Sequence, residues 1–331
     1  MKRDLCIGFM IVLLSISSAQ TPQLVQVSTL PASAALGISA DGQHVVGGSL
    51  AWNANTPAFY WTPSRGERQL PLPAGARQAI ARGVSDDGSV IVGEAYYNTG
   101  VTIRPVVWRA PDYQPTLLPL PSGYQEGIAM DVSGDGRLIV GRYTHTNRRY
   151  FAMWIDGVLN EPLSAIEGEF RRISRDGVPV GGFDVGGSVR WTPQRGFEVL
   201  GGIYATAASL SAHHVVGFTS NIGDGLMGSY WDSCGQISLG RFNDLQTELY
   251  ALSDDGRIAA GTAGRGQFAI RWKRERGFLD GWENLNATFA PYLGGRVLGN
   301  VFDMSADGRY LVGTMGTPQG MRAFRLDTAG L

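Results

Sequence analysis

Six aspartates, Asp41, Asp87, Asp135, Asp176, Asp255 and Asp307, each stand two residues after a serine and directly before a glycine. Such regular carboxylates invite a calcium reading, but that ion takes about six to eight converging oxygens, and one aspartate per phrase does not supply them. Asp before Gly is instead what a tight turn selects, because the Asp side chain bonds nearby backbone and Gly accepts a positive φ. His44, His145, His213 and His214 lack a His or Cys neighbour at ligand spacing, so no metal is expected. No nucleophile elbow or phosphate-cradling glycine loop is present, and no cofactor is implied. The remaining chemistry rests with carboxylates such as Glu126, Glu167 and Glu169, and with aromatic and arginine side chains whose placement depends on the elements around them.

Those elements are repeats. The phrase Ser39-Ala40-Asp41-Gly42-Gln43-His44-Val45-Val46-Gly47 returns at Ser85 to Gly93, Ser133 to Gly141, Ser174 to Gly181, Ser209 to Gly217, Ser253 to Gly261 and Ser305 to Gly313. Asp-Gly ahead of an apolar β-branched run signals a hairpin, so each phrase reads as two strands and their turn. The turn is either type I closed by a left-handed Gly or a two-residue type I′ loop. In the fifth copy Ser211 and Ala212 replace Asp and Gly, which predicts an altered or looser turn. A variable stretch then leads to a third strand ending in Trp61, Trp108, Trp154, Trp191, Trp231 or Trp272, with Leu326 closing the seventh. Aromatic residues at a fixed repeat position build core, so these tryptophans are expected between sheets. Turn residues and a short apolar run such as Phe197 to Leu200 supply a fourth strand.

Radial repetition of four-stranded units about 40 to 45 residues long is the β-propeller pattern. The expected fold is all-β: a seven-bladed β-propeller of four-stranded blades, forming one domain over residues 20–331. The chain starts with a surplus strand, Leu24 to Leu30, and ends without a fourth strand after Ala323 to Leu326, so the N-terminal strand is expected to close the ring. The longest interval contains Gly281 to Leu298, which reads as an insertion with a helical turn or two.

Basic and acidic residues balance at 28 and 29, with no basic stripe, which argues against a nucleic-acid partner. Residues 1–19 read as a secretory signal peptide: Lys2 and Arg3, an apolar run from Leu5 to Ile16, then small residues before Gln20. The apolar run is shorter than the roughly 20 residues a span requires. An exported protein, periplasmic or extracellular, monomeric and without a membrane span once the signal is removed, is the expectation. Cys234 would then be the lone mature cysteine, leaving stability to sheet packing.

The succession Ser-x-Asp-Gly, Val-Val-Gly, Ala-Phe-x-Trp resembles the HAF family of extracellular repeats over nearly the whole mature chain. Pro57-Ala58-Phe59 and Arg322-Ala323-Phe324 keep only the Ala-Phe of the family's His-Ala-Phe triplet, so nothing particular to that His carries over. Trp282-Glu283-Asn284-Leu285-Asn286 is similar to the family's Leu-Asn phrase. The resemblance implies an exported repeat protein and no particular reaction. The repeats also resemble those of TolB, without their Pro, and lack the sialidase Asp-box spacing.

In such a ring the second-to-third-strand loops gather on the same end as the blade-to-blade connections, opposite the Asp-Gly turns. Trp52, Asn53, Asn98, His145, Asn147, Arg149, Asn221 and Asp224 fall there. Tyr96, Tyr97, Tyr143 and Arg148, read as lying in two longer loops of neighbouring blades, are the candidate ligand contacts, since Tyr and Arg are the side chains most often energetic in interfaces. The expected function is a binding or scaffold module recognising a protein or glycan through this face. The alternative is a propeller-type polysaccharide lyase or glycoside hydrolase using Glu167 or Glu169, which would need paired acids a few ångströms apart. If the first strand closes the ring, deleting residues 20–31 should lower the melting temperature substantially; an unchanged melting curve would show that closure does not depend on it.

Overall fold

The computed structural model of the protein describes residues 20–51, 55–98, 102–160, 163, 166–184, 186–221 and 225–330. The proposed leader at residues 1–19 lies outside these, as do Trp52, Asn53 and Asp224. Seven antiparallel sheets of four strands follow one another round a ring, a seven-bladed β-propeller. First strands line the axis: Ser33–Ile38, Gln78–Val84, Glu126–Val132, Gly168–Ile173, Tyr204–Ala208, Thr247–Leu252 and Val297–Met304. Among the described residues no helix is long and apolar enough to cross a membrane.

Closure is as the strand surplus implied. The N-terminal strand Gln23–Gln26 pairs with Gly320–Asp327 of the seventh blade, Gln23 opposite Asp327 and Gln26 opposite Phe324. The chain beyond is tied to blade 1, whose Glu67 accepts bonds from Ser28 Oγ at 2.6 Å and Thr29 N–H at 2.8 Å. Thus one segment of about ten residues joins the last blade to the first.

The repeated phrase folds as the type I alternative. Ser39 C=O accepts Gly42 N–H at 3.0 Å, Gly42 takes φ +72°, and Asp41 Oδ1 accepts both Ser39 Oγ–H and Gln43 N–H. Ser39 Oγ in turn accepts His44 N–H. In the fifth phrase Ser211 and Ala212 carry the positive φ themselves, at 55° and 46°. That turn lacks an aspartate of its own and borrows one: Asp176 of the preceding blade's turn accepts Ser211 N–H at 2.7 Å and Ser211 Oγ–H. It is altered but tethered.

The turns also bond to one another. Asp86 N–H donates to Gly134 C=O, Gly134 to Arg175, Leu210 to Asp254, Asp254 to Ala306 and Ala306 to Ala40. Ala40 N–H completes the circuit through Asp86 Oδ1 at 3.1 Å. Between Arg175 and Leu210 the link is instead the Asp176–Ser211 pair.

Tryptophans fill the seams between blades. Trp108, Trp154 and Trp272 are fully buried, and Trp231 nearly so. The indoles of Trp108 and Trp154 donate to Pro71 C=O at 2.9 Å and Pro119 C=O at 2.7 Å, each at the exit of the preceding blade. Burial and a satisfied N–H make these tryptophans core. The insertion in blade 6 carries two short helices, Leu285–Thr288 and Ala290–Leu293. The Asn286 amide exchanges hydrogen bonds with both backbone groups of Leu298, and Phe289 is fully buried over the Arg271–Glu283 pair.

Asp176 serves two turns where Asp135 serves one. At about 1 kcal/mol net per turn's hydrogen bonds, Asp176→Ala should cost roughly twice what Asp135→Ala costs in urea unfolding. Equal losses would mean that the Asp176–Ser211 bonds contribute nothing to stability.

Candidate functional site at the mouth of the central channel

Each first strand carries a β-bulge at the same place. Register shifts leave Leu36, Arg82, Met130, Arg171, Thr206, Tyr250 and Phe302 without a partner on the neighbouring strand, each three residues before the phrase's Ser. A bulge re-aims its side chain, here toward the axis, and the seven together with Arg172 line a cavity of about 190 Å³ in the channel. Its wall is mixed: Leu36, Met130 and Phe302 are apolar, Thr206 and Tyr250 carry hydroxyls, and Arg82 and Arg171 carry charge.

On the Asp-Gly side the channel is closed. Arg172 reaches across from blade 4 to donate to Phe302 C=O at 2.7 Å and Leu36 C=O at 3.2 Å, between Asp131 and Asp303. One turn further along, Arg175 bonds Asp86 at 2.8 Å, Asp254 at 3.3 Å and Met304 C=O at 3.2 Å. Since every first strand runs from the loop end to the turn end, the bulge side chains lie on the loop side of this plug. The cavity is therefore a cup with a charged floor.

Toward the loop end, arginines of blades 2 to 4 crowd around two buried carboxylates. Arg82 binds Glu94 Oε1 at 2.5 and 2.9 Å, and Glu94 is wholly buried. Glu169, 3% exposed, receives Arg171 at 2.6 Å, Arg142 at 3.0 Å and Arg149 at 3.3 Å. Burial opposes the ionisation of Glu169, but the Arg171, Arg142 and Arg149 guanidiniums outweigh it and hold the carboxyl below its ordinary range. Arg171 also lies 4.1 Å over the Tyr204 ring. Burial lowers the pKa of Arg142, and its Nε–H is buried without a hydrogen-bond partner among the described residues.

The four residues expected as contacts occupy four different settings, and all of them lie in strands. Tyr96 and Tyr97 end the strand Val90–Tyr97. Tyr143 belongs to Leu138–His145 and Arg148 opens Arg148–Ile155, the two strands being joined by a two-residue turn, Thr146-Asn147, with positive φ at both positions. That is type I′ geometry, which keeps strands paired to their tips and leaves no long loop. Tyr96 borders a cavity that it shares with Arg82, close to the cup. Tyr97 is half-buried in the seam between blades 1 and 2. Tyr143 is 1% exposed, stacked on Tyr150 with centroids 5.1 Å apart, so its ring is core and unavailable to a partner. Arg148 is exposed and paired with Glu167. Sequence reading missed the bulge series itself; its signal is the third residue before each Ser, where type varies from Leu to Arg to Tyr.

His44, His145 and His214 pack on Tyr60, Tyr124 and Tyr230, and among the described residues no three His, Cys, Asp or Glu side chains form a group that could hold a metal ion.

Neither a protein family nor a curated protein matches the chain. In shape it is similar to the β-propeller domain of the Trilobed protease from Pyrococcus furiosus, at 10% identity and TM-score 0.55, covering 94% of this chain and 95% of that one. It is also similar to a puromycin hydrolase, at 14% identity and TM-score 0.58 over 91% of this chain and 53% of that one. TolB from Acinetobacter baumannii matches at 14% identity and TM-score 0.45, over 62% of this chain and 54% of that one. The chain spans about half the length of the last two proteins. At these identities the likeness is one of fold.

Beneath the cup, burial pushes the Asp131 carboxyl up to about 6, with Arg172 opposing the rise and Asp303 adding to it. Between about pH 4 and 6 the folded protein therefore holds a proton that the unfolded chain has released, so this group lowers stability progressively as pH rises through that window. Stability measured by denaturant unfolding, wild type minus Asp131→Asn, should fall by roughly 1 to 3 kcal/mol from pH 4 to pH 7. A pH-independent difference would show that Asp131 is not raised.

Proposed function

We propose that the protein is an exported propeller of the HAF type that binds a ligand or partner at the loop-side mouth of its channel, as a binding or scaffold module rather than an enzyme. The observation that carries this reading is the channel's asymmetry: Arg172 and Arg175 plug the turn side, and seven bulge side chains of mixed chemistry line what remains. A recess walled by side chains free to differ from blade to blade, on a backbone that does not, is what selective recognition requires.

Support for the lyase or hydrolase alternative is weak. A general acid must hold a proton near working pH, whereas Glu169 is held ionised among three guanidiniums and Glu167 is engaged by Arg148. Export rests on the leader read at residues 1–19, and the loop tips around Tyr97 and Arg148 serve as an outer rim.

Fractions of cell-surface material should raise the melting temperature of the wild type. Met130→Trp, which fills the cup, should abolish that shift, and Tyr97→Ala with Arg148→Ala should preserve it. The reverse pattern would move the site to the outer loops, and equal shifts in all three proteins would refute the channel as the site.

A further inference from the structure

The mouth of the cup concentrates guanidinium groups. Arg82, Arg142, Arg149 and Arg171 face Glu94 and Glu169, with Asp184 reached by Arg149 at 4.0 Å and Glu248 held by the hydroxyl of the cup-lining Tyr250. The carboxylates lie beneath: Glu94 and Glu169 side chains are 0% and 4% exposed, whereas the four arginines are 24 to 38% exposed. Arginine forks pinned from below and open above are pre-organised, and a ligand meeting them does not have to order long side chains. Two of them, Arg82 and Arg171, also line the cup, at the same level as Leu36, Met130 and Phe302.

We infer that the mouth takes a carboxylate joined to a short apolar body, the acid on the Arg82 and Arg171 forks and the body against Leu36, Met130 and Phe302. This rests on the channel reading above and specifies its ligand. Guanidinium presents paired N–H groups in the geometry of a carboxylate. The apolar side chains that share this wall select against a bare inorganic anion, which would leave Leu36, Met130 and Phe302 facing water. Two sources share this chemistry: a free organic acid, and the C-terminal carboxylate of a peptide ending in an apolar residue.

The probes are N-acetyl-leucine and its primary amide, with inorganic phosphate and a short peptide ending in leucine, free or amidated, as further arms, all titrated calorimetrically into the full chain. The acid should bind at least tenfold more tightly than the amide, since losing a charge-assisted pair costs a factor of that order. Arg171→Gln should lose about tenfold for the acid and nothing for the amide, and Met130→Trp should abolish both. A free-terminus peptide tighter than N-acetyl-leucine assigns the site to chain ends; equal or weaker binding assigns it to free acids. Acid and amide binding equally in the wild type, phosphate binding as tightly as the acid, or no binding of either leucine probe each overturns the inference, and these comparisons need no variant to fold. Equal binding abolished by Met130→Trp leaves the channel reading standing, whereas acid binding that survives Met130→Trp removes that reading as well.

Discussion

The close approach of a backbone carbonyl to the last glycine of each phrase organises the whole ring. A Cβ at Gly47, Gly93, Gly141, Gly181, Gly217, Gly261 or Gly313 would stand 1.8 to 2.0 Å from the carbonyl oxygen of a first-strand residue of the same blade. Real Cβ atoms do not come so near, so only glycine allows the first strand to crowd its neighbour there. That crowding accompanies the bulge, and the bulge turns one side chain per blade onto the axis. The glycine is thus required by the strand opposite, although it looks like punctuation at the end of an apolar run. Substituting it would remove a channel residue's orientation along with a local contact.

Seven such blades still have to be held in a circle. Two devices do this at opposite radii: the outer strand Gln23–Gln26, which completes blade 7, and the inner circuit of hydrogen bonds from turn to turn. The circuit departs from backbone pairing where blade 1 meets blade 2 and where blade 4 meets blade 5, and the neighbourhood of the second departure supplies Arg172 and Arg175 to the plug and Asp176 to the next turn. Residues that would have served only their own hairpin are here shared across the axis. The ring's interior is consequently asymmetric.

The fold was legible because its signals are local and repeated. Asp-Gly turns, β-branched runs and the Trp positions each recur, and the strand count at the two ends implies closure without any knowledge of tertiary contacts. The candidate site was less so. Tyr143 looked like a loop residue because nothing in Tyr143 to Arg149 announces that two positive-φ residues, Thr146 and Asn147, suffice to turn the chain. With the strands running to their tips, Tyr143 pairs with Tyr150 and is buried against Tyr124. Likewise Glu169 read as a connection residue, but the first strand begins at Gly168, and one residue of strand carries it under three arginines. A register of one or two residues decides which side of a sheet a side chain takes, and sequence periodicity does not resolve that at strand ends.

Burying Glu94 and Glu169 has a cost that only their arginines offset, because a carboxylate removed from water without a partner is strongly disfavoured. The arrangement is therefore mutually dependent: the carboxylates fix the arginines, and the arginines keep the carboxylates ionised. A catalytic acid needs the opposite environment, one that raises its pKa and leaves a proton to give. Asp131 has such a raised pKa, but it lies on the floor, bonded to the backbone N–H groups of Val132 and Ile173 and facing Arg172, where its task is to hold the plug. Charge in this channel serves to keep geometry rigid.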